Sequence, residues 1–158
     1  MELRGSRVAT GSRFAIVVSR FNADITDGLL RGAKEALASA AVKEEHVIVV
    51  QVPGAFEIPL TALELGRSGE FDAVICLGCL IKGDTMHFEY IASATCNGIA
   101  EAATATGVPM ALGVLTTLTE EQAQERAADG PANKGREAAE AAVEMATLFR
   151  QLRAEASE

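Results

Sequence analysis

A polar glycine turn followed by a histidine is the stretch of this sequence that most clearly suggests chemistry. The apolar run at 74–81 ends at KGDT (82–85), and His87 follows two residues later. Free backbone N–H groups at the start of a helix bind anions such as phosphate. The positive end of the helix dipole also favours a neutral imidazole, the form that acts as a general base. The stretch predicts an anion site beside a proton-transferring histidine, with a capping or surface histidine as the alternative.

Three further polar stretches follow apolar runs. Phe21 and Asn22 come after the run at 13–19, and an aromatic side chain there either stacks on a flat ligand or anchors the core. GAFE (54–57) follows the run at 46–52 and puts a carboxylate at a helix start, where it binds a ligand or simply complements the helix dipole. TTLTE (116–120) follows the run at 110–115.

Apolar runs alternate along the chain with stretches of helical periodicity. Continuous apolar runs are typical of strands in a parallel sheet, which helices cover on both faces. The predicted strands are 13–19, 46–52, 71–78 and 110–115, and the predicted helices are 25–40, 57–67, 87–106, 119–128 and 134–153. The first helix is predicted to be capped by Thr26 or Asp27 and to carry an Arg31–Glu35 pair. Ligands of such α/β folds bind beyond the carboxyl ends of the strands, where all four polar stretches lie.

Composition limits the classes of protein that remain. A chain of 158 residues with 49% hydrophobic residues favours one domain, spanning 1–158. The net charge of −8 argues against a nucleic-acid binder, whose phosphate partner would need the opposite sign. No apolar run approaches the roughly 20 residues of a membrane span. With no apolar signal core near the N-terminus and an odd number of cysteines, three, the sequence predicts a cytoplasmic protein with reduced thiols.

Cys76 and Cys79 form a C-x-x-C pattern, which occurs in zinc and redox sites. Side chains three residues apart on a strand point to opposite faces of the sheet. The spacing therefore favours two small buried side chains over a metal or redox site.

Five longer stretches together resemble the lumazine synthase family: SRFNADITDGLLRGA, VPGAFEIPLTA, LGCLIKGDTMHFEYIA, GVLTTLTEEQAQERA and NKGREAAEAAVEMA. They stand in family order, and the resemblance covers the chain from residue 13 to about 152. The resemblance implies a flavodoxin-like three-layer αβα sandwich around a four-stranded parallel sheet. It implies a transferase of riboflavin biosynthesis, without metal or organic cofactor, that condenses 5-amino-6-(D-ribitylamino)uracil with 3,4-dihydroxy-2-butanone 4-phosphate. The products are 6,7-dimethyl-8-ribityllumazine, phosphate and water.

The same resemblance assigns roles to individual residues. His87 falls on the proton-transfer histidine, and the phosphate ligands fall on Asp84, Thr85 and Arg126. Contacts to the pyrimidine and its ribityl chain fall on Phe21, Asn22, Ala55, Phe56, Glu57, Cys79, Leu80, Ile81, Leu112 and Lys134. Arg126 and Lys134 would reach in from the neighbouring chain. Leu112, predicted beside the carboxyl end of the fourth strand, stands where the family often has an aromatic.

The resemblance also implies self-association into pentamers, with the active sites between adjacent subunits. The loop between Arg126 and Lys134 is short and lacks the insertion associated with free pentamers in the family, so the resemblance further implies that twelve pentamers close into a shell of 60 subunits. Residues 1–12 are predicted to extend onto a neighbouring subunit, and riboflavin synthase is a candidate partner.

Two other classes of function are weighed against this enzyme. One is a shell-forming relative that binds lumazine or riboflavin and catalyses weakly, against which the retention of His87, Arg126 and Lys134 argues. The other is a flavodoxin-like regulator or flavin electron carrier. That class needs a phosphate loop after the first strand, and SRFNAD (19–24) offers no glycine or Ser/Thr cluster there.

Overall fold

The computed structural model describes residues 1–158, and its centre is a parallel sheet of four strands. The strands are β1 (Phe14–Ser19), β2 (Val47–Val52), β3 (Ala73–Ile81) and β4 (Met110–Thr117). Their order is β2-β1-β3-β4, which matches the first four strands of the flavodoxin-like order. β1 is buried along its whole length and β3 along most of it, because both faces of the sheet are covered. The predicted α/β class is confirmed.

Five α-helices form the two outer layers of the sandwich. They are α1 (Ala23–Ser39), α2 (Ile58–Arg67), α3 (His87–Thr106), α4 (Glu120–Ala127) and α5 (Lys134–Ala156). Short 3₁₀ turns at Glu44–His46 and Ala55–Glu57 precede β2 and α2. One core cluster joins the sheet to α1, α4 and α5, and a second joins it to α2 and α3. None of these helices has both the length and the apolar character needed to cross a membrane.

The start of α1 differs from the prediction. The helix begins at Ala23 with Asn22 as its N-cap, so the predicted caps Thr26 and Asp27 are wrong. Asn22 adopts the left-handed conformation (φ 60°), which asparagine tolerates better than most residues. Its side chain does not cap the helix but donates to the carbonyl oxygen of Cys79, at 3.0 Å. The first helix is thereby tied to the carboxyl-terminal part of β3.

Both β3 and β4 extend further than predicted, because their backbones stay paired as far as Ile81 and Thr117. This places Leu112 third in a strand of eight residues, opposite Cys76. The prediction that Leu112 lies beside the carboxyl end of β4 is therefore wrong.

The two cysteines of the C-x-x-C pattern belong to different cores. Cys76 packs in the α2/α3 cluster and Cys79 in the α1/α4/α5 cluster, which confirms that they point to opposite faces. Burial raises the pKa of the Cys76 thiol to about 12 and that of Cys79 to about 11, with a further contribution to Cys79 from the charge of Asp24. Both thiols are structural hydrophobic groups, as predicted.

Residues 1–12 contact helix α5 of their own chain. The Ser6 N–H donates to Thr147 Oγ1 at 2.7 Å, and Gln151 Nε2 donates to the Arg4 carbonyl oxygen at 2.7 Å. Ala9 is fully buried in the adjoining core. The extension of this segment onto a neighbouring subunit stays a prediction.

Candidate functional site

A groove of about 520 Å³ opens at the carboxyl edge of the sheet. It forms where the chain leaves β1, β2 and β3, because parallel strands deliver their following loops to the same edge. Eight of the residues predicted to bind substrate line this single groove: Phe21, Ala55, Phe56, Glu57, Leu80, Ile81, Thr85 and His87. Three separate polar stretches of the sequence therefore meet in one place.

Two exposed phenylalanines flank the groove. Phe21 is 67% exposed and Phe56 is 60% exposed, so neither anchors the core and that interpretation of Phe21 is wrong. The Phe21 N–H donates to the Pro53 carbonyl oxygen at 3.1 Å, which ties the loop after β1 to the turn after β2. Exposed aromatic rings held on anchored backbone can stack on a flat heterocycle.

Glu57 presents a carboxylate that is only partly engaged. Its Oε2 accepts a hydrogen bond from the Gly54 N–H at 3.1 Å, which closes the turn that leads into α2. The other carboxylate oxygen makes no hydrogen bond within the chain and can accept from ligand hydroxyl groups.

The turn before α3 has the backbone of an anion site. The N–H groups of residues 83–86 make no hydrogen bond within the chain, and His87 follows as the first residue of the helix. The His87 N–H donates to Thr85 Oγ1 at 3.4 Å, whereas its exposed imidazole makes no hydrogen bond. Free amides at a helix start attract an anion, and an unengaged ring beside them can exchange a proton with a bound ligand.

Positive charge is nevertheless missing from this groove. No arginine or lysine lines it, and the nearby Lys82 ammonium lies 3.6 Å from a carboxylate oxygen of Glu89. The Lys82 N–H is also bonded to the Thr117 carbonyl oxygen at 2.9 Å, so the turn is fastened to the end of β4. A dianion bound at residues 83–86 would therefore meet backbone dipoles but no free cation of the same chain.

A second groove of about 340 Å³ lies along β4 and contains three more of the predicted residues, Leu112, Arg126 and Lys134. It shares no residue with the first groove. Leu112 is 53% exposed there. Arg126 Nη1 donates to the Gln122 carbonyl oxygen of its own helix at 3.0 Å, and no carboxylate lies within 4 Å of its guanidinium. Within one chain, the structure thus divides the predicted residues into two sets.

Three predicted residues line neither groove, namely Asn22, Cys79 and Asp84. The Asn22 side-chain amide donates a hydrogen bond to the Cys79 carbonyl oxygen, and the Cys79 side chain points into the core. Asp84 is exposed beside the turn, where its charge opposes an anion unless the side chain stays turned away.

Several residues that line the two grooves were not predicted from the sequence. Phe88 and Ile91 line the first groove, and the i,i+4 spacing of Ile91 from His87 was a signal that would have found it. Glu137, to which the sequence assigned no role in binding, lies in the second groove. Its Oε2 is 2.8 Å from the Lys134 ammonium.

A family model described as 6,7-dimethyl-8-ribityllumazine synthase matches residues 11–150 of this chain of 158. The matched range includes every residue of the first groove and of the second.

Proposed function

We propose that this chain, which belongs to the 6,7-dimethyl-8-ribityllumazine synthase family, condenses 5-amino-6-(D-ribitylamino)uracil with 3,4-dihydroxy-2-butanone 4-phosphate. The products are 6,7-dimethyl-8-ribityllumazine, phosphate and water. The observation that carries the proposal is the free N–H groups of residues 83–86 beside His87, in a groove flanked by two exposed phenylalanines. These features suit one substrate that carries phosphate and another that carries a flat ring.

His87 acts as the proton-transfer group in this proposal. The amine of the pyrimidine adds to the ketone, and loss of water gives an imine. A base then removes a proton from carbon as phosphate leaves, and ring closure releases a second water. The exposed imidazole next to the free amides is the group best placed to act as that base. Holding two substrates in one groove supplies much of the remaining acceleration.

Phe21 and Phe56 bind the pyrimidine, and the free oxygen of Glu57 accepts hydrogen bonds from ribityl hydroxyls. Leu80 and Ile81, at the end of β3, line the same groove.

The active site is completed by a second copy of the chain. The first groove has an anion turn without a free cation, and the second has Arg126 without a carboxylate partner. This complementarity supports a site in which Arg126, Lys134 and Leu112 of an adjacent subunit face the first groove. Repetition of that contact about one axis gives a closed ring, the pentamer, whereas the shell of 60 subunits needs further contacts between pentamers and stays a prediction. Cytoplasmic location and association with riboflavin synthase stay predictions.

The second candidate function is a weakly catalytic shell protein that binds lumazine or riboflavin. The exposed phenylalanines alone would suit such a binder, since stacking needs no proton transfer. The free His87 ring and the unpaired Arg126 guanidinium are features that binding of an uncharged flavin does not require, and they favour the enzyme.

Turnover of the two substrates, followed by the fluorescence of the lumazine product, tests the proposal directly. His87→Ala should lower kcat roughly 10 to 1000-fold, because loss of a general base costs about 10²–10⁴-fold while substrate proximity survives. The matched control is His46→Ala, since His46 is the only other histidine and lines neither groove. Absence of turnover by the wild type would refute the enzyme and leave the binder. Equal kcat values for wild type and His87→Ala would remove His87 from the mechanism.

A further inference from the structure

We infer that Asn133 is a positioning residue that holds Arg126 and Lys134 in the orientation needed for substrate binding. The inference rests on the proposed function, which makes Arg126 a phosphate ligand. It assigns a role to a residue that lines neither groove. Asn133 occupies the corner between α4 and α5, with Arg126 near the end of α4 and Lys134 at the start of α5.

Asn133 is 1% exposed, and both the nitrogen and the oxygen of its side-chain amide form hydrogen bonds. Its Nδ2, which carries two hydrogens, lies at hydrogen-bond distance from the carbonyl oxygens of Gly28 (3.0 Å), Ala127 (2.9 Å) and Ala128 (3.1 Å), so two of these carbonyls share one hydrogen. Its Oδ1 accepts from the Arg136 N–H at 3.0 Å, which caps α5. One buried amide thus joins three helices, because its nitrogen bonds to α1 and to the end of α4 while its oxygen caps α5.

These hydrogen bonds involve residues that are adjacent in the chain to the two cationic residues, Arg126 and Lys134. Ala127, whose carbonyl accepts from Asn133, is the residue after Arg126, and Lys134 directly follows Asn133. Helix α4 has only eight residues, too few to be stable without packing. The carbonyl groups at its end have no partner within the helix, and Asn133 supplies donors to them. The place of Arg126 in the groove therefore depends on the Asn133 amide.

The part of α1 that packs against this corner presents its backbone there, because two of its residues are glycines. Gly28 and Gly32 are four residues apart and face the corner. A Cβ on Gly32 would collide with the Asn133 side-chain oxygen, and one on Gly28 would lie 2.5 Å from the Ala127 carbonyl oxygen. Gly135, on α5, approaches the Leu29 carbonyl equally closely. The corner between α4 and α5 packs against α1 so closely that only glycine fits at the contact. This close packing fixes the position of the corner relative to α1.

The other tie across this corner is weak. The Arg31 guanidinium lies 2.8 Å from an Asp129 carboxylate oxygen, and both side chains are more than half exposed. Exposed ion pairs contribute little and are screened by salt. The buried amide, not this ion pair, carries the positioning.

Titration with inorganic phosphate tests the inference without requiring turnover. Asn133→Ser keeps a capping oxygen for the Arg136 N–H but removes the amide donors. We expect it to weaken phosphate binding roughly 10-fold or more, approaching the loss caused by Arg126→Ala, because a charge-assisted contact is misplaced. The double variant should bind no more weakly than Arg126→Ala, since Asn133 acts through Arg126. In steady-state assays, Asn133→Ser should raise KM for the butanone phosphate by more than it lowers kcat.

Two further variants separate positioning from simple destabilisation. Gly32→Ala displaces Asn133 from the α1 side and should weaken phosphate binding in the same way, which also covers a failure of Asn133→Ser to fold. Leu37→Ala removes a buried side chain near the end of α1, and it should lower the unfolding midpoint while phosphate affinity stays unchanged.

Three results would overturn the inference: a folded Asn133→Ser with wild-type phosphate affinity, additive losses in the double variant, or phosphate binding that Arg126→Ala does not change. A wild type that forms no lumazine would refute the proposed function instead, and the phosphate titration would still decide the role of Asn133.

Discussion

Replacing Leu112 by phenylalanine should tighten pyrimidine binding without changing the chemical step. Leu112, the third residue of β4, lines the second groove together with Arg126 and Lys134. In the proposed assembly this face covers the pyrimidine held by the adjacent subunit. The proton transfers occur at the butanone, so the pyrimidine contact is the same in ground and transition states. Such uniform binding changes KM and leaves kcat unaltered.

The size of the effect follows from the exposure of Leu112. The side chain is 53% exposed, so a larger ring extends into the groove and does not displace core residues. The overpacking penalty of about 1–3 kcal/mol that applies to buried sites should therefore be small here. An offset-stacked ring adds about 0.5–1.5 kcal/mol beyond area burial. Leu112→Phe should lower KM for the ribitylaminouracil roughly 2 to 12-fold.

The assay varies the ribitylaminouracil at saturating butanone phosphate and records initial rates by lumazine fluorescence. Leu152→Phe is the matched control, because Leu152 is 45% exposed on α5 and lines neither groove. It should leave KM and kcat at their wild-type values. If Leu112→Phe keeps the melting temperature of the wild type and its KM is unchanged or higher, Leu112 does not face the pyrimidine and the orientation proposed for the second groove is wrong.

Two further predictions concern stability and assembly. Thr95 is fully buried on α3 and its hydroxyl has no hydrogen-bond partner, so Thr95→Val should raise the free energy of unfolding by about 1 kcal/mol. Urea unfolding at one protein concentration measures this, and a loss of stability would show that the hydroxyl does make a hydrogen bond within the folded chain, as helical threonines do to a carbonyl oxygen one turn earlier. The second prediction is the mass of the proposed shell: sixty chains of 16.5 kDa should give about 990 kDa by light scattering. A mass of about 83 kDa, five chains, would contradict the shell and retain the pentamer.

Much of the first groove could be predicted from sequence because its signals are local. The apolar runs that became β1 and β3, and the polar turns behind them, identified the carboxyl edge of a parallel sheet. The first residue of α3 was predicted correctly as His87, because a glycine turn precedes a long stretch of helix-forming residues. The opposite orientation of Cys76 and Cys79 followed from strand periodicity alone. Each of these inferences needed only a window of a few residues.

Tertiary structure alone decided which distant groups meet. Arg31 was expected to pair with Glu35 on its own helix, but it pairs with Asp129, because a local i,i+4 pair is worth only a few tenths of a kcal/mol and yields easily to a better-placed partner. Asn133 gave no sign in the sequence of bonding to Gly28, 105 residues away. The separation of the predicted residues into two grooves likewise depends on which edge of the sheet β4 occupies. Local propensity determines where the helices and strands form. The packing of α1 against the α4–α5 corner determines which distant residues Arg31 and Asn133 contact.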